Sequence, residues 1–95
     1  MQRRIDFEWD QGKNEANIAK HGIDFDEAIG IFEAFILERV DNRRDYGEVR
    51  IAGIGVAEGR ELAVVYTMRG EVRRIISARR ARRNERRAYR QTHPG

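Results

Sequence analysis

Ten arginines and no lysine fall between residues 69 and 90, with only Glu71 and Glu85 to offset them. That segment carries a formal charge of +8 against −5 for residues 1–68, in a chain whose net charge is +3. Arginine grips phosphate oxygens with a planar fork and stacks on bases, and lysine does neither well. The segment therefore reads as a surface for nucleic acid, or for an acidic partner protein. An RNA backbone bound in this way can also be cut. Metal-free cleavage needs a base for the ribose 2′-OH proton, cations to stabilise the phosphorane, and a proton for the leaving 5′-oxygen.

Arg79 and Arg80 stand where the last strand should end, and Arg82, Arg83, Arg86 and Arg87 follow. Arg82 with Arg86, and Arg83 with Arg87, share helix faces, and like charges so spaced destabilise a helix unless an anion neutralises them. Glu85 lies within the cluster as an intrahelical ion-pair partner. Tyr89, four residues on, either seals the helix to the sheet or contacts nucleic acid. His21 closes a first helix beside Lys20, where it is a cation on the helix dipole or a group that meets substrate. Glu48 and Arg50 share one side of a strand whose neighbour ends at Arg69. They form either a carboxylate base held by arginines or a cross-strand ion pair. His93 falls in a tail expected to be disordered over 91–95. Asp24, Asp26 and Glu27 are explained by helix capping. No H-x-E, H-E-x-x-H, calcium-loop, G-x-G-x-x-G or Walker spacing occurs, so no metal or cofactor is expected.

These residues must be held by a small scaffold. Ile5, Phe7 and Trp9 alternate with Asp6 and Glu8, which predicts a half-buried strand over 4–9. Asp10 caps a helix over about 11–20, and Gly22 is placed for its left-handed end. Asp24 opens a second helix, with Glu27 completing a capping box and Ile23 stapled onto Ala28. Phe25, Ala28, Ile29 and Phe32 give that helix one apolar face. Strands follow over 36–40, 48–57, 61–69 and 72–78, with a polar loop over 41–47. Gly53 and Gly55 mark a bulge or a close backbone approach. Leu62, Val64, Tyr66 and Met68 share one strand face, and Val72, Ile75 and Ile76 line the next strand. Residues 81–91 are helical by propensity, with only Ala81, Ala88 and Tyr89 to pack. The order predicts an α+β fold: a small antiparallel sheet, an N-terminal helix pair on one face and a C-terminal basic helix. The other sheet face, left open, is a plausible RNA platform.

A chain of 95 residues has room for one domain, spanning 1–95. The absence of cysteine excludes disulfides and thiolate zinc sites and favours a reducing, cytoplasmic location. Met1-Gln2-Arg3-Arg4 leads into no apolar segment, so neither a signal peptide nor a membrane span is expected.

Three stretches together resemble one family. They are Phe7-Glu8-Trp9-Asp10 with Lys13-Asn14, Asn17 and Lys20-His21-Gly22; Asp45-Tyr46-Gly47-Glu48 with Arg50 and Ile54-Gly55; and Arg74-Ile75-Ile76-Ser77-Ala78-Arg79 with Glu85-Arg86-Arg87 and Tyr89. In order and over roughly 5–90, they resemble the BrnT ribonuclease toxins of bacterial type II toxin–antitoxin systems. The resemblance implies a RelE-like fold, RNA cleavage without a metal, and inhibition of translation and growth. It also implies a BrnA-type antitoxin with a ribbon-helix-helix DNA-binding part. Toxin and antitoxin would form a hetero-oligomer, a heterotetramer, that meets operator DNA only through the antitoxin. Carried over, the catalytic candidates are Arg79, His21, Glu48, Arg50 and Tyr89, and the RNA-binding candidates are Lys20, Arg69, Arg80, Arg83 and Arg87. The competing reading is a non-catalytic nucleic-acid-binding regulatory module that uses the same basic helix.

Overall fold

The computed structural model describes residues 6–42 and 45–93. The elements run β1 (Asp6–Trp9), α1 (Gln11–His21), α2 (Phe25–Ala28) continued by a 3₁₀ turn (Ile29–Glu33), β2 (Leu37–Asp41), β3 (Arg50–Ala57), β4 (Arg60–Arg69), β5 (Val72–Arg80) and α3 (Arg83–Thr92). They build an α+β fold around one sheet of order β1-β5-β4-β3-β2. Strands β2 to β5 pair antiparallel, as expected, but β1 lies parallel to β5, so the sheet is mixed. Ile5, expected in the first strand, lies outside the described residues.

The helix ends follow from local chemistry. Asp10 accepts the Lys13 N–H at 3.0 Å, and Gly22 at φ 70° donates its N–H to the Ile18 carbonyl. Asp24 caps α2 through the Asp26 N–H. The expected capping box does not form there, because the Glu27 carboxylate pairs with Arg60 at 2.6 Å instead. The expected single second helix tightens to 3₁₀ after Ala28. With three residues per turn, Phe25, Ala28 and Ile31 align, and all three are fully buried, while Ile29 and Phe32 only flank the core.

That face packs with Ile23 against Leu62, Val64, Tyr66, Ile75 and Ala78 of the sheet. Gly55 makes the approach possible: a Cβ there would stand 2.8 Å from Ile31 Cβ. The glycine thus marks close packing, and the sheet's bulge falls elsewhere, where Val65 and Tyr66 oppose Ser77 and Ile75 and Ile76 is skipped.

Helices are not confined to one face. α3 crosses the other side of the sheet, where Ala81 and Tyr89 form a second cluster with Ile54 and Ala63. Ala88, expected to pack, is exposed, and the buried positions of α3 are Glu85 and Tyr89. The helix runs through Gln91 to Thr92. His93 stacks edge-on against Phe35 at 5.2 Å, and Pro94 and Gly95, at the end of the expected tail, lie outside the described residues. Among the described residues no helix is long and apolar enough to cross a membrane.

Two buried asparagines tie α1 to this frame. Asn14 accepts the Phe25 N–H and donates to Asp24. Asn17 donates to the carbonyls of Ile23 and Ala78, both at 2.9 Å, and accepts the Ala78 N–H at 3.1 Å. β1 pairs with β5 only as far as Ile75. The Asn17 amide, which has the donor and acceptor of a peptide unit, takes over at Ala78, where that strand has run out.

Candidate active site

β5 carries the chain into α3, and its register sorts the arginines. Ala78 is in the helix-pair core, so its alternating neighbour Arg79 faces the opposite side of the sheet and Arg80 returns to the helix-pair side. Arg80, expected beside Arg79 as an RNA contact, thus points away from it. Arg73 also faces the helix pair, with its guanidinium 4.4 Å over the Phe32 ring.

Arg79 meets Glu85 in a two-pronged ion pair at 2.7 and 2.8 Å. Glu85 is therefore not an intrahelical partner: it bridges from the first turn of α3 to β5, and on to β2 through Arg39 at 3.3 Å. It also accepts the Arg82 N–H at 2.7 Å, which caps the helix. Its side chain is 2 % exposed, against 23 % for Arg79 and 63 % for Arg39. The hydrogen bonds from Arg79 hold its carboxyl down at about 2 from the usual 4.5. Burial opposes this, and the Arg82 N–H and the charges of Arg79 and Arg39 reinforce it. Of the five N–H donors of Arg79, two go to Glu85 and one to the Arg80 carbonyl, which leaves two for a ligand. Arg79 borders a cavity of about 330 Å³ lined also by Arg39, Arg82 and Glu85, with Ala52 and Val65 of the sheet.

This carboxylate ties stability to acid. Because its folded pKa lies below its unfolded one, its stabilisation is complete above about pH 4.5 and disappears as pH falls towards 2. The interval is worth about 3 kcal/mol. Urea unfolding between pH 6 and pH 2 should show wild type losing that much more stability than Glu85→Gln. Equal losses in the two proteins would refute the assignment.

A second group lies on the same face roughly 15 Å further along β5. There Arg74 pairs with Glu8 at 2.8 Å, and Arg50 pairs with Glu48 at 3.4 Å while stacking 3.9 Å over Tyr46. Glu48 precedes β3 rather than opening it, because Asp45 accepts the Gly47 N–H and Gly47 turns at φ 72°. Arg69 ends β4 on this face and is exposed. The expected carboxylate and arginine pair is thus real but stands apart from Arg79.

His21 is the last residue of α1 and only half-buried; partial burial, Lys20 and the Arg79 charge lower its pKa and so favour the neutral imidazole. Lys20 is exposed beside it. Tyr89 is buried, and its hydroxyl donates to the Phe35 carbonyl at 3.2 Å; it anchors α3 rather than facing a ligand. Arg83 and Arg87 line the outer surface of α3 with Arg86 and Arg90. Sequence reasoning missed Arg39, which lies outside the arginine run, and the structural roles of Asn14 and Asn17.

The family model described as "Ribonuclease toxin, BrnT, of type II toxin-antitoxin system" matches residues 9–85. A comparison with curated proteins gives no match. Among solved structures, the crystal structure of the Brucella abortus ribonuclease toxin BrnT is similar at 28% identity and a TM-score of 0.63, covering 84% of this chain and 100% of that one. The matched segment runs from Trp9, the last residue of β1, to Glu85, and so includes the whole Arg79–Glu85–Arg39 network. With the sequence pattern and the fold in agreement, the chain belongs to the BrnT family of ribonuclease toxins of type II toxin–antitoxin systems, and an antitoxin is its implied partner.

Proposed function

We propose that the chain is a metal-independent endoribonuclease that cleaves RNA on the arginine-lined sheet face that α3 crosses. The observation that carries this reading is Arg79: fixed by a buried carboxylate, at the wall of a cavity, with two N–H donors left over from its protein hydrogen bonds. A cation held in place before the reaction stabilises developing phosphorane charge without reorganising. In the proposed step the 2′-oxygen attacks the adjacent phosphorus, neutral His21 takes the hydroxyl proton, and the bond to the 5′-oxygen breaks as water protonates it. The products are a 2′,3′-cyclic phosphate and a free 5′-hydroxyl. Arg50, Arg69 and Arg74 hold neighbouring phosphates, Glu48 orients Arg50, and Lys20, Arg83 and Arg87 extend the cationic surface.

In the cell the protein would act in the cytoplasm, slowing translation and growth. A BrnA-type ribbon-helix-helix antitoxin would neutralise it in a heterotetramer and carry operator contacts. The basic outer surface of α3 suits an acidic antitoxin segment as well as RNA. Purified chain free of partner should cut RNA in a buffer containing EDTA and leave 2′,3′-cyclic phosphate ends. RNA left intact, with binding that still falls steeply as salt rises, would instead establish a non-catalytic binding module.

A further inference from the structure

We propose that Glu85 is a positioning residue and Arg39 an RNA-binding residue, Glu85 drawing Arg39 and Arg79 into one cleft that takes a single phosphodiester. This deepens the ribonuclease reading above and rests on it. β2 and β5 are separated by β3 and β4, so the backbones of Arg39 and Arg79 are about 14 Å apart across the sheet. Two guanidinium groups have no reason to converge over that distance, since their charges repel. They converge because a carboxylate buried at the start of α3 meets both, Arg79 at 2.7 and 2.8 Å and Arg39 at 3.3 Å.

The strand register shapes what lies between. Arg39 pairs with Ala52, Ala52 with Val65 and Val65 with Ser77, two residues before Arg79, so two short apolar side chains lie along the row beneath the cleft and leave the cavity its depth. Arg82 adds a third cation to the wall. Against Glu85 and Asp41 these three give the cleft a formal charge of +1, suited to one phosphodiester. The two arginines then have different tasks. Arg79 is held by two short bonds and stays in place; Arg39, exposed and bonded at 3.3 Å, can turn its remaining donors onto the ligand. Glu85 stays ionised at any pH the cell reaches, so it acts through the arginines and moves no proton.

The test follows binding and cleavage of one fluorescent RNA oligonucleotide by the full chain. Arg39→Ala should weaken RNA binding about tenfold and lower the salt slope by about one, with the melting temperature only slightly lowered because the side chain is exposed and Arg79 still holds Glu85. Arg39→Lys should restore the slope. Glu85→Gln should lower kcat about a hundredfold while RNA affinity holds or tightens, since it removes a negative charge. If Arg39→Ala binds RNA with wild-type affinity and slope, or if Glu85→Gln loses kcat only in proportion to its folded fraction, the cleft is refuted. If wild type itself binds but does not cut, the ribonuclease reading fails. The Arg39→Ala isotherms and their salt slopes then still decide the phosphate cleft.

Discussion

Arg79→Ala is expected to reduce RNA cleavage by about two to three orders of magnitude, the loss typical of removing one preorganised donor from a developing anion. The substitution has a second consequence, because Arg79 also neutralises a carboxylate that is 2 % exposed. Removing one partner of a buried pair costs about 3–5 kcal/mol when the other is left unpaired. Arg39 and the Arg82 N–H remain on Glu85, so the lower end applies. A domain of this size has only about 5–10 kcal/mol to lose, so lost cleavage alone would not separate catalysis from folding. The double variant Arg79→Met with Glu85→Gln does, because it removes both charges together and fills similar volume. It should recover most of the stability lost in Arg79→Ala yet cleave no better. Arg79→Lys keeps the charge but cannot form the two-pronged pair, and should fall between them. Urea unfolding with single-turnover cleavage of a short RNA reads both quantities in each variant. Near wild-type cleavage by the refolded double variant would reduce Arg79 to a structural role.

The parts of this molecule that could be read from the chain are those fixed by near neighbours. Asp10, Gly22 and Asp24 act within four residues of themselves, and both ends of α1 and the start of α2 follow from them. The period-2 runs gave strands β3 to β5 within two residues at each end. What was illegible depends on partners far along the chain. The parallel pairing of β1 with β5 joins Asp6 to Val72, and no local pattern announces it. Arg39 reaches the site only because β2 lies three strands from β5, so its register is needed before its role is visible. The face of α3 misled for a different reason. A buried face is normally recognised by apolar residues, and here it is made by Glu85 and Tyr89, so Ala88 looked better suited to packing than it is. The opposed directions of Arg79 and Arg80 do follow from strand alternation, but only once β5 is known to continue to residue 80. The site was therefore legible as a charge and as one central arginine, and its geometry was not.

Asn17→Ala is expected to destabilise the protein by about 3 kcal/mol, from the deletion of a single exposed-looking polar residue in the middle of α1. The asparagine is 7 % exposed and leaves behind three backbone groups, the N–H and carbonyl of Ala78 and the carbonyl of Ile23. Each buried group without a partner costs about 1–3 kcal/mol, and water entering the vacated space recovers part of the total. In a domain of this length that shifts the melting temperature by about 15 °C. Asn17→Asp should be no better: it keeps the acceptor for Ala78 N–H but loses both donors and sets a negative charge against two carbonyl oxygens. The effect reaches the site because of where the bonds fall. Ala78 directly precedes Arg79, and α1 ends four residues after Asn17 at His21. Loosening this junction frees both the proposed phosphate cation and the proposed base, so kcat should fall even at temperatures where the chain stays folded. Amide exchange at Ala78 should quicken well beyond that of Val64 and Tyr66 in the strand beside it. A variant that melts within a few degrees of wild type and keeps its Ala78 amide protected would show that β5 holds its own end without Asn17.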